Sequence, residues 1–164
     1  MNKKIAIVPG SFDPITYGHI DIVRRASEMY DIIYLAVMIN DQKNYLFDIE
    51  QRTRIAQAAV SDIPNVQVLS SKDMLWRLAE ELNAVAIVKG YRNEDDLKYE
   101  KIMADFNTAH YPKAKTILLK ADPTLTSVSS TLVREKLKNN EALDCYLPTK
   151  VIVEIEKILK DKVI

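Results

Sequence analysis

The sequence predicts an α/β protein: a doubly wound, Rossmann-like, five-stranded parallel sheet of order 3-2-1-4-5 with helices on both faces. Three observations carry this. Five short runs are mostly continuously apolar rather than alternating, which is the pattern of parallel strands covered on both sides. Amphipathic segments of helical period lie between them. Connections of this kind are right-handed, so the strand-helix alternation places strands 1 and 4 side by side, where the chain reverses direction.

The first strand is KIAIV (Lys4–Val8), and it empties into the loop PGSFDPITYGH. The first helix follows, with Ile22, Val23, Ala26, Met29 and Tyr30 on one face and Asp21, Arg24, Arg25 and Glu28 mostly on the other. Strand 2 is IIYLAVMI (Ile32–Ile39). The second helix opens on DIEQ (Asp48–Gln51), a capping-box pattern, and runs to about Val60. Strand 3 is NVQVLS (Asn65–Ser70), and a third helix spans Asp73 to Leu82. Strand 4 is AVAIVK (Ala84–Lys89), followed by a helix from Asn93 to Ala109 that stops before Pro112. Strand 5 is KTILLK (Lys115–Lys120), and two late helices cover Ser130–Asn139 and Pro148–Lys160. Leu143, Tyr146 and Leu147 read as exposed apolar residues on the late helices, serving either an interface or local packing. No internal repeat, low-complexity stretch or linker interrupts the chain.

The 164 residues fit one domain, 1–164, and 48% hydrophobic content with 28% charge suits a sizeable core inside a solvated surface. A formal net charge of +0 argues against a general nucleic-acid binder, while leaving room for a local basic cluster around a small phosphorylated ligand. Cys145 is the one cysteine, so an internal disulfide has no partner, and no Cys/His metal-ligand spacing occurs. No metal site built from protein side chains is expected. The N-terminal MNKKIAIV has too short an apolar run for a signal peptide, and no stretch approaches the ~20 apolar residues of a membrane span. The expectation is a cytoplasmic protein without a membrane or nucleic-acid partner.

The loop after strand 1 concentrates the unusual residues. Gly10 permits a tight turn or close approach of a ligand, and Pro14 fixes a turn in FDPI. With Thr16 as N-cap, Gly18 and His19 fall in the first turn of helix 1, where free N–H groups and a partial positive charge suit phosphate. Ser11 adds a hydroxyl and His19 a ring donor. Neither G-x-G-x-x-G nor G-x-x-x-x-G-K-[ST] occurs. From spacing alone two readings stand: a phosphate site, or a turn with a capping histidine. The sheet order sets this loop opposite KGYRNEDD, after strand 4, at the crevice where such sheets bind ligands.

Thr16-Tyr17-Gly18-His19 resembles the (T/H)-x-G-H motif of the nucleotidyltransferase α/β-phosphodiesterase superfamily. VSSTLVRE (Val128–Glu135) resembles its second motif, I-S-S-T/S-x-x-R/K, at the start of a late helix. The FDPIT-GHIDIV context, the length and the segment carrying Lys89, Gly90, Arg92, Tyr99 and Glu100 extend the likeness over the whole chain. Within the superfamily it resembles the phosphopantetheine adenylyltransferases of coenzyme A synthesis. The resemblance implies transfer of AMP from ATP to the phosphate of 4′-phosphopantetheine, giving dephospho-coenzyme A and pyrophosphate. The transfer is a direct in-line displacement with Mg²⁺, the metal held mainly by the ATP phosphates. Such chemistry rests on positioning and charge neutralisation, and an anionic phosphate nucleophile needs no general base.

The resemblance also implies roles. His19 would stabilise charge on the α-phosphate, Ser11 would bond the reacting phosphates, and Phe12 would lie against the nucleotide. Lys43 and Lys89 would hold the acceptor phosphate, and Leu75 would contact the pantetheine arm through its backbone. Gly90, Tyr91, Arg92 and Glu100 would contact the nucleotide. The run Leu125, Thr126, Ser127, Val128, Ser129, Ser130 and Thr131 would bind the triphosphate through hydroxyls and N–H groups. By contrast, Glu94, Asp95 and Asp96 read as a solvent-facing, capped helix start. A homohexamer and feedback binding of coenzyme A are implied as well.

Departures from the family pattern sit around this core. Lys89 stands where arginine is usual, keeping the charge but losing the bidentate fork, which bears on acceptor affinity more than on the reaction. Asn44 and Tyr45 replace a proline and a second lysine. DPTLTS replaces a more aromatic stretch, and KGYRNEDD a commoner RGLRAVSD. These changes leave two alternatives open: a related nucleotidyltransferase with another small phosphorylated acceptor, and a catalytically inactive nucleotide or coenzyme sensor.

Overall fold

The computed structural model describes residues 2–162. Its elements run β1 (Ile5–Gly10), α1 (Tyr17–Met29), β2 (Ile32–Met38), α2 (Ile49–Ala59), β3 (Val66–Ser71), α3 (Leu75–Glu81), β4 (Ala86–Tyr91), α4 (Glu94–His110) and β5 (Lys115–Lys120). A 3₁₀ turn (Pro123–Leu125) leads to α5 (Ser130–Lys138) and α6 (Thr149–Asp161). The five strands form one parallel sheet in the expected order β3-β2-β1-β4-β5.

Alternate strand residues face opposite layers, so both sides of the sheet are covered. Ala6, Val8, Ile33, Leu35, Val37, Ala86 and Val88 meet the apolar faces of α1, α2, α5 and α6. Ile7, Ala36 and Ile87 meet Leu78 and Ala79 of α3 in a smaller core on the other side. Helix boundaries follow local chemistry. Asp48 accepts the Gln51 N–H at 2.8 Å while Gln51 Oε1 accepts the Asp48 N–H at 3.0 Å, closing the capping box read from DIEQ. Asn93 caps α4 by accepting the Asp96 N–H at 2.9 Å.

Two expectations are revised. β1 does not end at Val8 but runs through Pro9 to Gly10, pairing with β2 along its whole length. Its ladder to β4 covers Ala6 and Ile7 alone. Proline has no N–H for a ladder, and a proline inside a central strand is tolerated where pairing stops on one side. The sheet therefore parts between β1 and β4 at its carboxyl end, and the crevice opens there. Leu143 and Leu147 are not exposed and not on the late helices. They lie buried in the α5–α6 connection, with Tyr146 packed partly against the same core, so their role is local packing.

Candidate active site

The parted strands open a cleft of about 520 Å³ at the carboxyl end of the sheet. That volume suits a nucleotide-sized ligand. Its floor is Val8, Pro9 and Gly10. One wall is the β1–α1 loop with Ser11, Phe12, Thr16, Gly18 and His19. The facing wall is Lys89, Gly90, Tyr91 and Arg92, backed by Asp96, Tyr99 and Glu100 of α4. Leu125, Val128, Ser129, Ser130 and Thr131 close one end, and Lys43 reaches in from the loop after β2. Thus the first turns of two helices, α1 and α5, meet at one cleft, each presenting the positive end of its dipole.

The loop after β1 is built around Phe12. Its φ of 48° is the left-handed region, which bulky residues seldom adopt. The turn folds the ring back over Gly10, where an added Cβ would sit 2.8 Å from the ring. Gly10 thus makes room for Phe12; of the two sequence readings, a tight turn or close approach of a ligand, the turn describes it better. The buried ring then meets His19 edge-on at 5.1 Å between centroids and 88° between planes.

His19 is the N3 residue of α1, and its Nδ1 accepts the backbone N–H of the N-cap, Thr16, at 3.0 Å. An acceptor Nδ1 fixes the neutral tautomer and leaves Nε2 carrying the proton at the cleft. Electrostatics agree: burial, assisted by the charge of Arg92, lowers the His19 pKa from 6.5 to about 4. His19 is therefore a neutral hydrogen-bond donor, fixed by the helix cap.

The charged residues of the facing wall are paired. Lys89 Nζ lies 2.7 Å from Glu100 Oε2, yet that buried oxygen receives no well-directed hydrogen bond. Arg92 is held by Asp96, which accepts its N–H at 3.2 Å and its Nε–H at 3.4 Å. Asp96 is thus part of the cleft and not only a solvent-facing helix start. Among the described residues, no group of three His, Cys, Asp or Glu side chains could hold a metal ion. No helix there is long and apolar enough to cross a membrane.

Comparison with known proteins gives concordant results. The cytidylyltransferase-like family model matches residues 7–136. A phosphopantetheine adenylyltransferase of Lactobacillus helveticus is 40% identical over 156 residues, covering 94% of this chain and 95% of the relative. One from Streptococcus pneumoniae is 39% identical over 162 residues, 98% of this chain and 100% of the relative. The chain belongs to the phosphopantetheine adenylyltransferase family. It is a nucleotidyltransferase. A crystal structure provisionally assigned as a nicotinate-nucleotide adenylyltransferase, from Vibrio parahaemolyticus, superposes with a TM-score of 0.70 over 95% of this chain and 93% of that one. At 19% identity, that likeness speaks for the fold alone.

Most of the residues matched to phosphopantetheine adenylyltransferase motifs meet in the cleft. Ser11, Phe12, His19, Lys43, Lys89, Gly90, Tyr91, Arg92 and Glu100 line it, as do Leu125 and Val128–Thr131. Three do not. Thr126 and Ser127 are exposed beside it, and Leu75 begins α3 against the smaller core. Of the hydroxyls of the second motif, Ser130 donates to the Pro14 carbonyl at 2.8 Å, whereas Ser129, which caps α5, and Thr131, at 3.2 Å from Arg134, only accept and keep their O–H donors. Sequence reasoning missed Asp13 and Arg52, and it gave no role to Arg134, the basic position of the second motif. Asp13 accepts the N–H groups of Leu46 and Phe47 at 2.9 and 3.0 Å. Arg134 donates to the Asp13 carbonyl at 2.8 Å, tying the two motifs together. The signal for Arg52 was available, since it shares the buried face of α2 with Ile55, Ala56 and Ala59.

Proposed function

We propose that this chain, as one domain, transfers the adenylyl group of ATP to the phosphate of 4′-phosphopantetheine. The products are dephospho-coenzyme A and pyrophosphate, formed by one in-line displacement. The observation that carries this reading is the convergence of two helix N-termini and the His19 Nε2–H on a cleft that also receives Lys43 and Lys89. One anion fits against α1 and α5, and a second, facing it, fits between the lysines.

His19 donates to an oxygen of the α-phosphate, where charge builds in the transition state; a neutral donor whose ring is already fixed needs no reorganisation to do so. Ser11 binds the reacting phosphates, and Phe12 holds His19 in place beside the nucleotide. Lys43 and Lys89 bring up the acceptor phosphate, an anionic nucleophile that requires no base. Gly90, Tyr91 and Arg92 face the nucleotide. Glu100 Oε2, buried without a directed donor, suits a ribose hydroxyl. Leu125 to Thr131 cradle the triphosphate through helix-start N–H groups and the free hydroxyl donors of Ser129 and Thr131, the Ser130 donor being spent on Pro14. Leu75 meets the pantetheine arm.

Mg²⁺ would be held mainly by the phosphate oxygens of ATP and by water. The two carboxylates at the cleft are bound to Lys89 and Arg92, so the residues present fit a metal carried by phosphate oxygens and water. The ion supplies charge neutralisation to the triphosphate. The enzyme works in the cytoplasm as a homohexamer, with coenzyme A competing for the same cleft. Exposed apolar side chains of α4, Tyr99, Ile102 and Phe106, offer surface for assembly.

Adenylyl transfer from a single diastereomer of ATPαS tests the mechanism. One displacement inverts the configuration at the α-phosphorus of the dephospho-coenzyme A formed. Retention would require a covalent enzyme intermediate and would overturn this reading.

A further inference from the structure

We infer that Arg52 is a positioning residue that sets the Lys43 loop against Ser11, with Tyr45 as its clamp. This rests on the functional reading above and concerns a residue that touches neither ligand. Among the described residues Arg52 is the largest fully buried side chain, with 1% of its surface exposed. No carboxylate lies within ion-pair distance of it among the described residues. Instead three of its five N–H donors go to backbone carbonyls. Nη1 donates to Ser11 at 2.8 Å and to Met38 at 3.1 Å, and Nε donates to Phe47 at 3.1 Å. The Tyr45 ring covers the guanidinium at 3.8 Å from Cζ to centroid.

These contacts have one thing in common. Met38 ends β2 and Phe47 precedes α2, so they are the two ends of the loop that carries Lys43. Ser11 belongs to the phosphate loop of β1. A single rigid plane therefore fixes both ends of the lysine loop to the residue that faces the nucleotide phosphates. Tyr45 extends the hold into the loop itself, because its hydroxyl accepts the Asn40 N–H at 2.9 Å. The next turn, Lys43 N–H to the Asn40 carbonyl at 3.0 Å, sets the backbone of Lys43. Asp13 grips the same loop from the other side through Leu46 and Phe47.

Packing alone would not select this residue. Burying an arginine is costly, and an apolar side chain of similar volume would fill the space. What an apolar side chain cannot do is hold three carbonyls in one plane, which the guanidinium fork does. For in-line transfer the acceptor phosphate on Lys43 must stand at a fixed distance from the α-phosphate near Ser11. Misplacement of about 1 Å can cost on the order of 100-fold in rate.

The test uses Arg52→Lys and Tyr45→Leu in the full chain, with two readouts. The first is hydrogen exchange of the unliganded protein. Faster exchange is expected in residues 40–46, with residues 84–91 unchanged. The second is kinetics. KM for 4′-phosphopantetheine is expected to rise and kcat to fall, each by about tenfold or more, with the Kd for ATP unchanged. Unchanged exchange at 40–46, or lower thermal stability with wild-type kinetic constants per folded molecule, would overturn the inference and leave Arg52 a structural residue. Should Arg52→Lys fail to fold, Tyr45→Leu decides, since Arg52 stays in place. Should the wild type show no transfer to 4′-phosphopantetheine, the functional reading fails, and loop exchange still decides whether Arg52 pins the loop.

Discussion

The two nitrogens of His19 have different duties, and two substitutions separate them. Nδ1 closes the cap of α1 by accepting the Thr16 N–H, and Nε2 donates into the cleft. Asparagine places its amide oxygen near the position of Nδ1 and nothing near Nε2. Glutamine does the reverse, with its amide nitrogen near Nε2. Thr16 is 1% exposed, so losing the acceptor leaves a buried N–H unpaired, at a cost of about 1–3 kcal/mol. Losing a donor to charge that develops in the transition state costs about 100- to 1,000-fold in kcat. His19→Asn is therefore expected to keep near-wild-type stability, with kcat down by about that factor and ATP affinity little changed. His19→Gln is expected to unfold at lower denaturant while retaining more activity per folded molecule. His19→Ala loses both. Pyrophosphate release, ATP titration and urea unfolding of the three variants measure these quantities. A fully active Asn variant, or an Asn variant with the same stability loss as Ala, would refute the division of labour.

Three further outcomes follow from the same geometry. With His110→Asn leaving His19 as the one histidine of the two in the chain, NMR of the free protein is expected to show a neutral Nε2–H ring that takes its proton at about pH 4. Because that value lies below 6.5, the unfolded chain binds the proton first. The contribution of His19 to stability is then complete above pH 6.5 and declines by up to about 3 kcal/mol as pH falls toward 4; a ring titrating near 6.5 would contradict it. Gly90→Ala puts a Cβ 2.9 Å from Ile22 Cγ1, overpacking the contact between α1 and β4 by about 1–3 kcal/mol, and Ile22→Ala should relieve most of that loss in the double variant. Lys89→Arg is expected to lower KM for 4′-phosphopantetheine with kcat little changed, because a guanidinium fork can grip a phosphate bidentately while keeping Glu100, whereas an ammonium offers each anion only a single point contact. An unchanged KM would remove residue 89 from acceptor recognition.

The sheet order and nearly every helix were legible in the sequence because apolar period and capping residues are local signals. Asp48 and Gln51, and Asn93 with the helix it caps, are examples. The motif residues around His19 and Ser130 were legible by likeness, and sheet order alone placed their loops at one crevice. What escaped was contact between distant parts of the chain. Pro9 reads as a loop residue until the β1–β4 ladder is seen to stop at Ile7. Gly10 reads as a tight turn or a close approach of a ligand until Phe12 is seen folded over it. The bond from Ser130 to the Pro14 carbonyl was likewise out of reach of the sequence. Arg52 drew no notice, although it shares the buried face of α2 with Ile55, Ala56 and Ala59.

Pyrophosphate release with Mg²⁺, from ATP and separately from CTP, with and without 4′-phosphopantetheine, tests the central claim most directly. The account predicts release that needs both ATP and 4′-phosphopantetheine, with CTP a poor substitute, and loss of that release in His19→Asn. Tight ATP binding without release in the presence of 4′-phosphopantetheine, or equal release from CTP, would contradict it.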